Sequence, residues 1–121
     1  MTKILVIDDE AILREELVDL LIFAGYEAVG VENGMAGITY ALQNHPDIIL
    51  CDVMMPQVDG HKVLTELRGN PSTANIPFIF MTARAAEDDI RQGLDLGAAQ
   101  YITKPFRHKE LISAIEAQLP K

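Results

Sequence analysis

The residues of this chain that can handle charge stand at the ends of short apolar runs: Asp8-Asp9 after one, Asp52 after another, Thr82 and Lys104 after two more. Carboxylates gathered in one place repel. Two unit charges about 4 Å apart at an effective dielectric near 20 interact by roughly 4 kcal/mol. A fold that keeps Asp8, Asp9 and Asp52 together must offset that repulsion. A divalent cation does so, and oxygen ligands favour Mg²⁺, Ca²⁺ or Mn²⁺ over softer metals. The ammonium of Lys104 adds positive charge and the hydroxyl of Thr82 adds a donor. Such a set suits phosphoryl transfer. An aspartate can attack phosphorus and form an acyl phosphate, while the metal and a lysine neutralise the transferred oxygens and a hydroxyl donates a hydrogen bond. No Gly-x-x-x-x-Gly-Lys loop or Gly-x-Gly-x-x-Gly fingerprint occurs, so no nucleotide is expected.

These residues meet only if the elements that carry them lie side by side. Residues 3–7 form a β-branched apolar run and read as a strand, and Ile12, Leu13, Leu17, Leu20, Leu21 and Ala24 follow at helical spacing, with Gly25 as a C-terminal cap. A short strand over 27–31 leads to Asn33-Gly34, where Asn33 caps a second helix that stops at Asn44-His45-Pro46. The third strand, 48–51, ends at Asp52 and turns through Met55-Pro56 to Asp59-Gly60. A third helix begins near Gly60 with Val63, Leu64 and Leu67 inward and ends near Gly69. A fourth strand is expected over 77–81, a thinly apolar helix over 86–96, a short strand over 100–103, and a fifth helix with Leu111, Ile112, Ile115 and Leu119 on one face.

Strand and helix thus alternate five times. Parallel neighbours need crossovers, and the crossovers are right-handed. The expectation is one three-layer α/β domain over residues 1–121, with a five-stranded parallel sheet in the flavodoxin-like order 2-1-3-4-5 and five helices. Its switch point lies between strands 1 and 3, where Asp8, Asp9 and Asp52 meet.

Composition sets outer bounds. The 121 residues suffice for one domain, and 49% are hydrophobic, so a core forms. No apolar run approaches the roughly 20 residues of a membrane span, and the run after Lys3 is too short for a signal peptide. With a single cysteine there is no internal disulfide, which fits the cytoplasm. Eighteen acids against ten bases give a net charge of −8, the wrong sign for a general nucleic-acid surface.

Taken together, Asp8-Asp9, Asp52 with Met55-Pro56 and Asp59-Gly60, Thr82-Ala83, Tyr101 and Lys104-Pro105-Phe106 resemble the receiver domain of two-component response regulators, along the whole chain. The resemblance implies a phosphorylation-activated signalling switch. Asp52 would accept phosphate from a sensor histidine kinase or a phosphotransfer protein. Mg²⁺, with Mn²⁺ as a substitute, would sit on Asp8, Asp9, Asp52 and the backbone carbonyl of Met54. Lys104 would pair with the phosphoryl oxygens, Thr82 would move toward them, and Tyr101 would turn inward. The Lys104-Pro105 bond would be cis. The face built by the fourth helix, fifth strand and fifth helix would be read by a downstream effector or output domain, with a phosphorylation-dependent homodimer as one assembly. Neither Met54 nor Arg84, the two positions that tune phosphoryl lifetime in the family, is acidic or amide-bearing, so self-dephosphorylation would be slow.

Plainer readings stand beside these. Asp9 alone is a common type of helix N-cap, Tyr101 a packed aromatic, and Cys51 a small buried hydrophobe. His45, His61 and His108 are scattered, with His61 and His108 expected on exposed helix faces. Two other functions compete: a receiver-like scaffold that never takes phosphate, and a Mg²⁺-dependent phosphatase with an aspartyl nucleophile. The phosphatase expects Asp-x-Asp, and here the second position is Met54. The sequence stops at Lys121, just past the fifth helix, which fits either a stand-alone receiver or part of a longer regulator.

Overall fold

Apolar runs with alternating side chains, joined by amphipathic helices, leave one economical arrangement, a sheet buried on both faces. The computed structural model describes residues 1–55, 57–82, 91, 98 and 100–119. In order they form β1 (Lys3–Ile7), α1 (Ala11–Phe23), β2 (Glu27–Val31), α2 (Gly34–Asn44), β3 (Ile48–Asp52), α3 (Gly60–Arg68), β4 (Phe78–Thr82), β5 (Gln100–Thr103) and α4 (His108–Gln118). All neighbouring strands are parallel, in the order β2-β1-β3-β4-β5. The expected sheet is therefore present. Among the described residues there are four helices, and α4 is the fifth expected one. The helix expected over 86–96 lies, Arg91 aside, outside the described residues.

Alternation along the strands divides the core into two layers. Leu5, Ile7, Ile49, Cys51, Phe78 and Phe80 face α2 and α3. Ile4, Val6, Ile48, Leu50, Ile79 and Met81 face α1 and α4. The same parity runs past the strand ends. Asp8, Asp52 and Lys104 continue the α1–α4 side, whereas Phe80 and Tyr101 belong to the α2–α3 side. Register then aligns the acids: Ile7 pairs with Cys51, so Asp8 comes opposite Asp52.

Local signals fix the helix ends. The Asn33 side chain accepts from the Ala36 N–H at 2.8 Å, and that of Asp59 accepts from Lys62 at 2.9 Å, as N-caps do. α1 closes with Gly25 at φ +100°, where the Gly25 N–H donates to Ile22 and the Tyr26 N–H to Leu21, both at 3.0 Å. This paired arrangement satisfies the last carbonyls. The expected strand bounds shift by one residue in two places. β3 extends to Asp52, and β4 covers Phe78–Thr82 because the Pro77 carbonyl, with no N–H beside it, only accepts from Ile49.

α3 starts very close to the sheet. The Gly60 N–H donates to the Val53 carbonyl at 3.0 Å. A Cβ at Gly60 would stand 2.5 Å from the Asp52 carbonyl oxygen and 2.8 Å from the Phe80 ring. Gly60→Ala is therefore expected to cost about 1–3 kcal/mol by overpacking, a fall in Tm of roughly 4–12 °C for a domain of this size. Thermal unfolding followed by circular dichroism measures it. Gly69→Ala, where the nearest atom to a new Cβ is 3.5 Å away, is the control and should change little. Equal Tm values for the two variants would contradict the close approach.

Candidate functional site

Asp8 is fully buried, and each of its polar groups has a partner. Its N–H donates to Val31 at 3.1 Å. Its carbonyl accepts from Arg14 Nη1 at 2.8 Å, Oδ1 accepts from the Glu10 N–H at 2.9 Å, and Oδ2 accepts from Lys104 Nζ at 3.1 Å. Asp52 is 4% exposed; Oδ1 accepts from the Met54 N–H at 3.2 Å and Oδ2 from the same Lys104 Nζ at 3.3 Å. Lys104 also stands 3.7 Å from Glu10 Oε1. One ammonium therefore spans three carboxylates. An oxygen from each of Asp8, Glu10 and Asp52 lies within 4.8 Å of the others. Hard oxygen donors that close fit Mg²⁺, Ca²⁺ or Mn²⁺.

The sequence-derived residues divide as follows. Asp8, Asp52 and Lys104 are in direct contact. Asp9 is exposed and is not among the three clustered acids, Asp8, Glu10 and Asp52. Asp9 does not cap α1 either, because the capping position is Glu10 and no side chain bonds there. Thr82 is 2% exposed at the end of β4, and its carbonyl accepts from the Lys104 N–H at 2.7 Å. Met54 points its side chain to solvent, at 58% exposed. The Lys104-Pro105 bond is cis. Arg84 lies outside the described residues.

Sequence reasoning missed Arg14 and Glu10. Glu10 had a faint signal, as a third acid directly after Asp8-Asp9. Arg14 had a weaker one, as a basic side chain one turn into α1. The expected exposure of His61 is corrected. His61 is half-buried, its Nε2 is 2.9 Å from the Tyr101 hydroxyl, and its ring meets Phe80 edge-on at 5.0 Å. The aromatic wall of the α2–α3 layer draws it in. Tyr101 is half-buried against Phe80, with ring centroids 5.0 Å apart. Cys51 is fully buried as expected, and burial, with Asp52, Asp8 and Asp59 nearby, pushes its thiol well above the usual range despite Lys104.

Burial raises the pKa of Asp52; Lys104 opposes the shift, Asp8 adds to it, and the Met54 N–H opposes it. For Lys104, burial pulls downward, but the charges and hydrogen bonds of Asp52 and Asp8 outweigh it and leave the ammonium above its ordinary value. Lys104 thus contributes stability through the neutral range, lost only as pH rises through its folded pKa. Asp52 has the opposite sense. Its folded form holds the proton more tightly than the unfolded chain, so stability falls as pH rises from 3.8 through the folded pKa. Asp52→Asn removes that cost. At pH 7 without divalent metal the variant should therefore melt at a higher temperature than the parent. Calorimetry across acidic pH should show the gain narrowing as Asp52 becomes protonated in the parent. A gain that widens on acidification would refute this electrostatic account.

Comparison with known proteins gives the family. Residues 4–116 match the family model of the response regulator receiver domain. The phosphate regulon transcriptional regulatory protein PhoB of Pseudomonas aeruginosa is 40% identical over 116 residues, which are 96% of this chain and 51% of PhoB. The DNA-binding dual master transcriptional regulator RpaA of Synechocystis is 39% identical over 119 residues, 98% of this chain and 49% of RpaA. The chain spans about half the length of these curated relatives. Among solved structures, chemotaxis protein CheY4 of Vibrio cholerae superposes with a TM-score of 0.94 at 26% identity, covering 98% of this chain and 99% of CheY4. The receiver domain of sensor histidine kinase PA1611 from Pseudomonas aeruginosa, solved with a magnesium ion coordinated in its active site cleft, gives a TM-score of 0.89 at 27% identity, covering 97% of this chain and 96% of that one. With its sheet order, acid pair and bridging lysine, the chain belongs to the response regulator receiver domain family.

Proposed function

We propose that Asp52 takes a phosphoryl group from the phosphohistidine of a sensor histidine kinase or a phosphotransfer protein. The observation that carries this reading is the Lys104 ammonium, held at 3.1 Å from Asp8 and 3.3 Å from Asp52. In the reaction an Asp52 carboxylate oxygen bonds to phosphorus, the phosphorus–nitrogen bond to the donor imidazole breaks, and the nitrogen keeps the electron pair. The product is an acyl phosphate. Asp8, Asp9, Asp52 and the Met54 carbonyl would hold Mg²⁺, with Glu10 at its edge; when bound, the ion supplies positive charge to the transferred oxygens.

The rest follows from charge. A phosphoryl group adds about −1.5 to −2 at Asp52. Lys104 would exchange a carboxylate partner for a phosphoryl oxygen, Thr82 would donate to another, and Tyr101 would hold the inward position. A shift of β4, the expected fourth helix and β5 would bias a two-state equilibrium and change the face built by that helix, β5 and α4. That face would be read by an effector or output domain, or by a second copy of the chain. The relatives' roles as transcriptional regulators, and their double length, support an output domain that carries the nucleic-acid contacts, since the receiver itself is acidic. No described helix is long and apolar enough to cross a membrane, in keeping with action in the cytoplasm. Met54 offers no carboxylate or amide to orient a water, so the phosphoryl group is long-lived and the domain is a switch rather than a turnover enzyme.

The test is incubation with Mg²⁺ and a small acyl phosphate or phosphoramidate, followed by intact mass measurement. One phosphate increment that requires Mg²⁺ and is absent in Asp52→Asn is expected, with decay slower than a half-life of seconds. No increment, with Mg²⁺ binding verified separately, favours a constitutive scaffold. Continuous release of phosphate from a phosphomonoester favours a phosphatase.

A further inference from the structure

We infer that His61 is a positioning residue that latches Tyr101 inward and ties β5 to the loop behind the phosphoacceptor. This rests on the proposed role of Asp52. His61 is in the first turn of α3, whose start is fastened to Val53 by the 3.0 Å bond from the Gly60 N–H. Val53 is the residue after Asp52. From there the His61 ring crosses the edge of Phe80 at 5.0 Å and places Nε2 2.9 Å from the Tyr101 hydroxyl. Phe80 in turn packs on Tyr101, with ring centroids 5.0 Å apart. Tyr101 lies three residues before Lys104, whose ammonium returns to Asp52. The path is a closed loop: Asp52, Val53, Gly60, His61, Tyr101, β5, Lys104, Asp52.

A tyrosine in this position has a polar tip that needs a partner when the ring is buried. His61 supplies one before any phosphoryl group arrives, so the inward Tyr101 state is populated in the resting protein. The imidazole satisfies the hydroxyl in either neutral tautomer or as the cation, because the hydroxyl both donates and accepts. The latch is therefore a matter of side-chain type, and a leucine of similar bulk breaks it while keeping the packing. Through population shift, losing one neutral hydrogen bond lowers the inward-to-outward ratio by about fivefold.

Two readouts on the whole chain test it. In unphosphorylated protein labelled with fluorotyrosine, the Tyr101 resonance, identified by its loss in Tyr101→Phe, should move toward a solvent-exposed shift in His61→Leu and stay near its original position in His61→Gln. With a small acyl phosphate and Mg²⁺, His61→Leu should be phosphorylated more slowly, by up to about fivefold, at unchanged Mg²⁺ affinity. His61→Gln should recover to within about twofold, and adding Tyr101→Phe to His61→Leu should slow it no further. An unmoved Tyr101 resonance in folded His61→Leu overturns the latch. If His61→Leu does not fold, His61→Phe removes the same bond while keeping the ring against Phe80, and an unmoved Tyr101 resonance in that variant overturns it equally. A parent protein that takes no phosphoryl group refutes the role of Asp52, while the resonance still decides the latch.

Discussion

The structure depends on one ammonium among carboxylates. Asp8 and Asp52 are almost wholly removed from water, and a buried carboxylate without a counter-charge is among the most costly features a small domain can carry. Lys104 meets both, with its own side chain only 12% exposed. The opposing pulls on its pKa are the same balance seen from the lysine: burial against two carboxylates, with the carboxylates prevailing. The balance is incomplete, because burial still raises Asp52. That residual cost of negative charge is what the site has to offer an incoming cation.

Strand parity makes the convergence possible. Asp8, Asp52 and Lys104 fall on the side of the sheet that faces α1 and α4, and the register sets Asp8 beside Asp52. Tyr101 and Phe80 fall on the other side, where α3 brings His61 to them. The electrostatic site and the aromatic wall therefore occupy opposite faces of the same strand ends. The Asp52 loop and β5 belong to both, so a change of charge on one face has a direct mechanical route to the other. A one-residue slip of β3 would move Asp52 to the wrong face, which is why Gly60, pressed against the end of that strand, matters as much as the acids.

Much of this was legible in the sequence, for reasons that vary by residue. The five strands announced themselves because each is a β-branched or apolar run ended by a charged or turn residue. Asp8, Asp52 and Lys104 could be placed because strand ends in a parallel sheet share one edge. Glu10 is hard to place from sequence because residues 8–10 bend from strand to helix, so strand alternation no longer says where each acid points. His61 looks exposed in the sequence because the aliphatic stripe of α3 is Val63, Leu64 and Leu67, and the aromatic surface of β4 and β5 that draws His61 inward is remote in sequence. Arg14 escaped for a related reason, since its partner is a backbone carbonyl, which leaves no mark in side-chain patterning.

The most direct test of the central claim is thermal unfolding of Lys104→Met against the parent protein, with and without saturating Mg²⁺. The account predicts a loss of about 3–5 kcal/mol in metal-free buffer, the cost of stranding buried charge, and a larger Mg²⁺-induced recovery in the variant than in the parent. A variant as stable as the parent without Mg²⁺, or a loss that Mg²⁺ leaves untouched, would contradict the claim that Lys104 supplies the charge on which the acidic site depends.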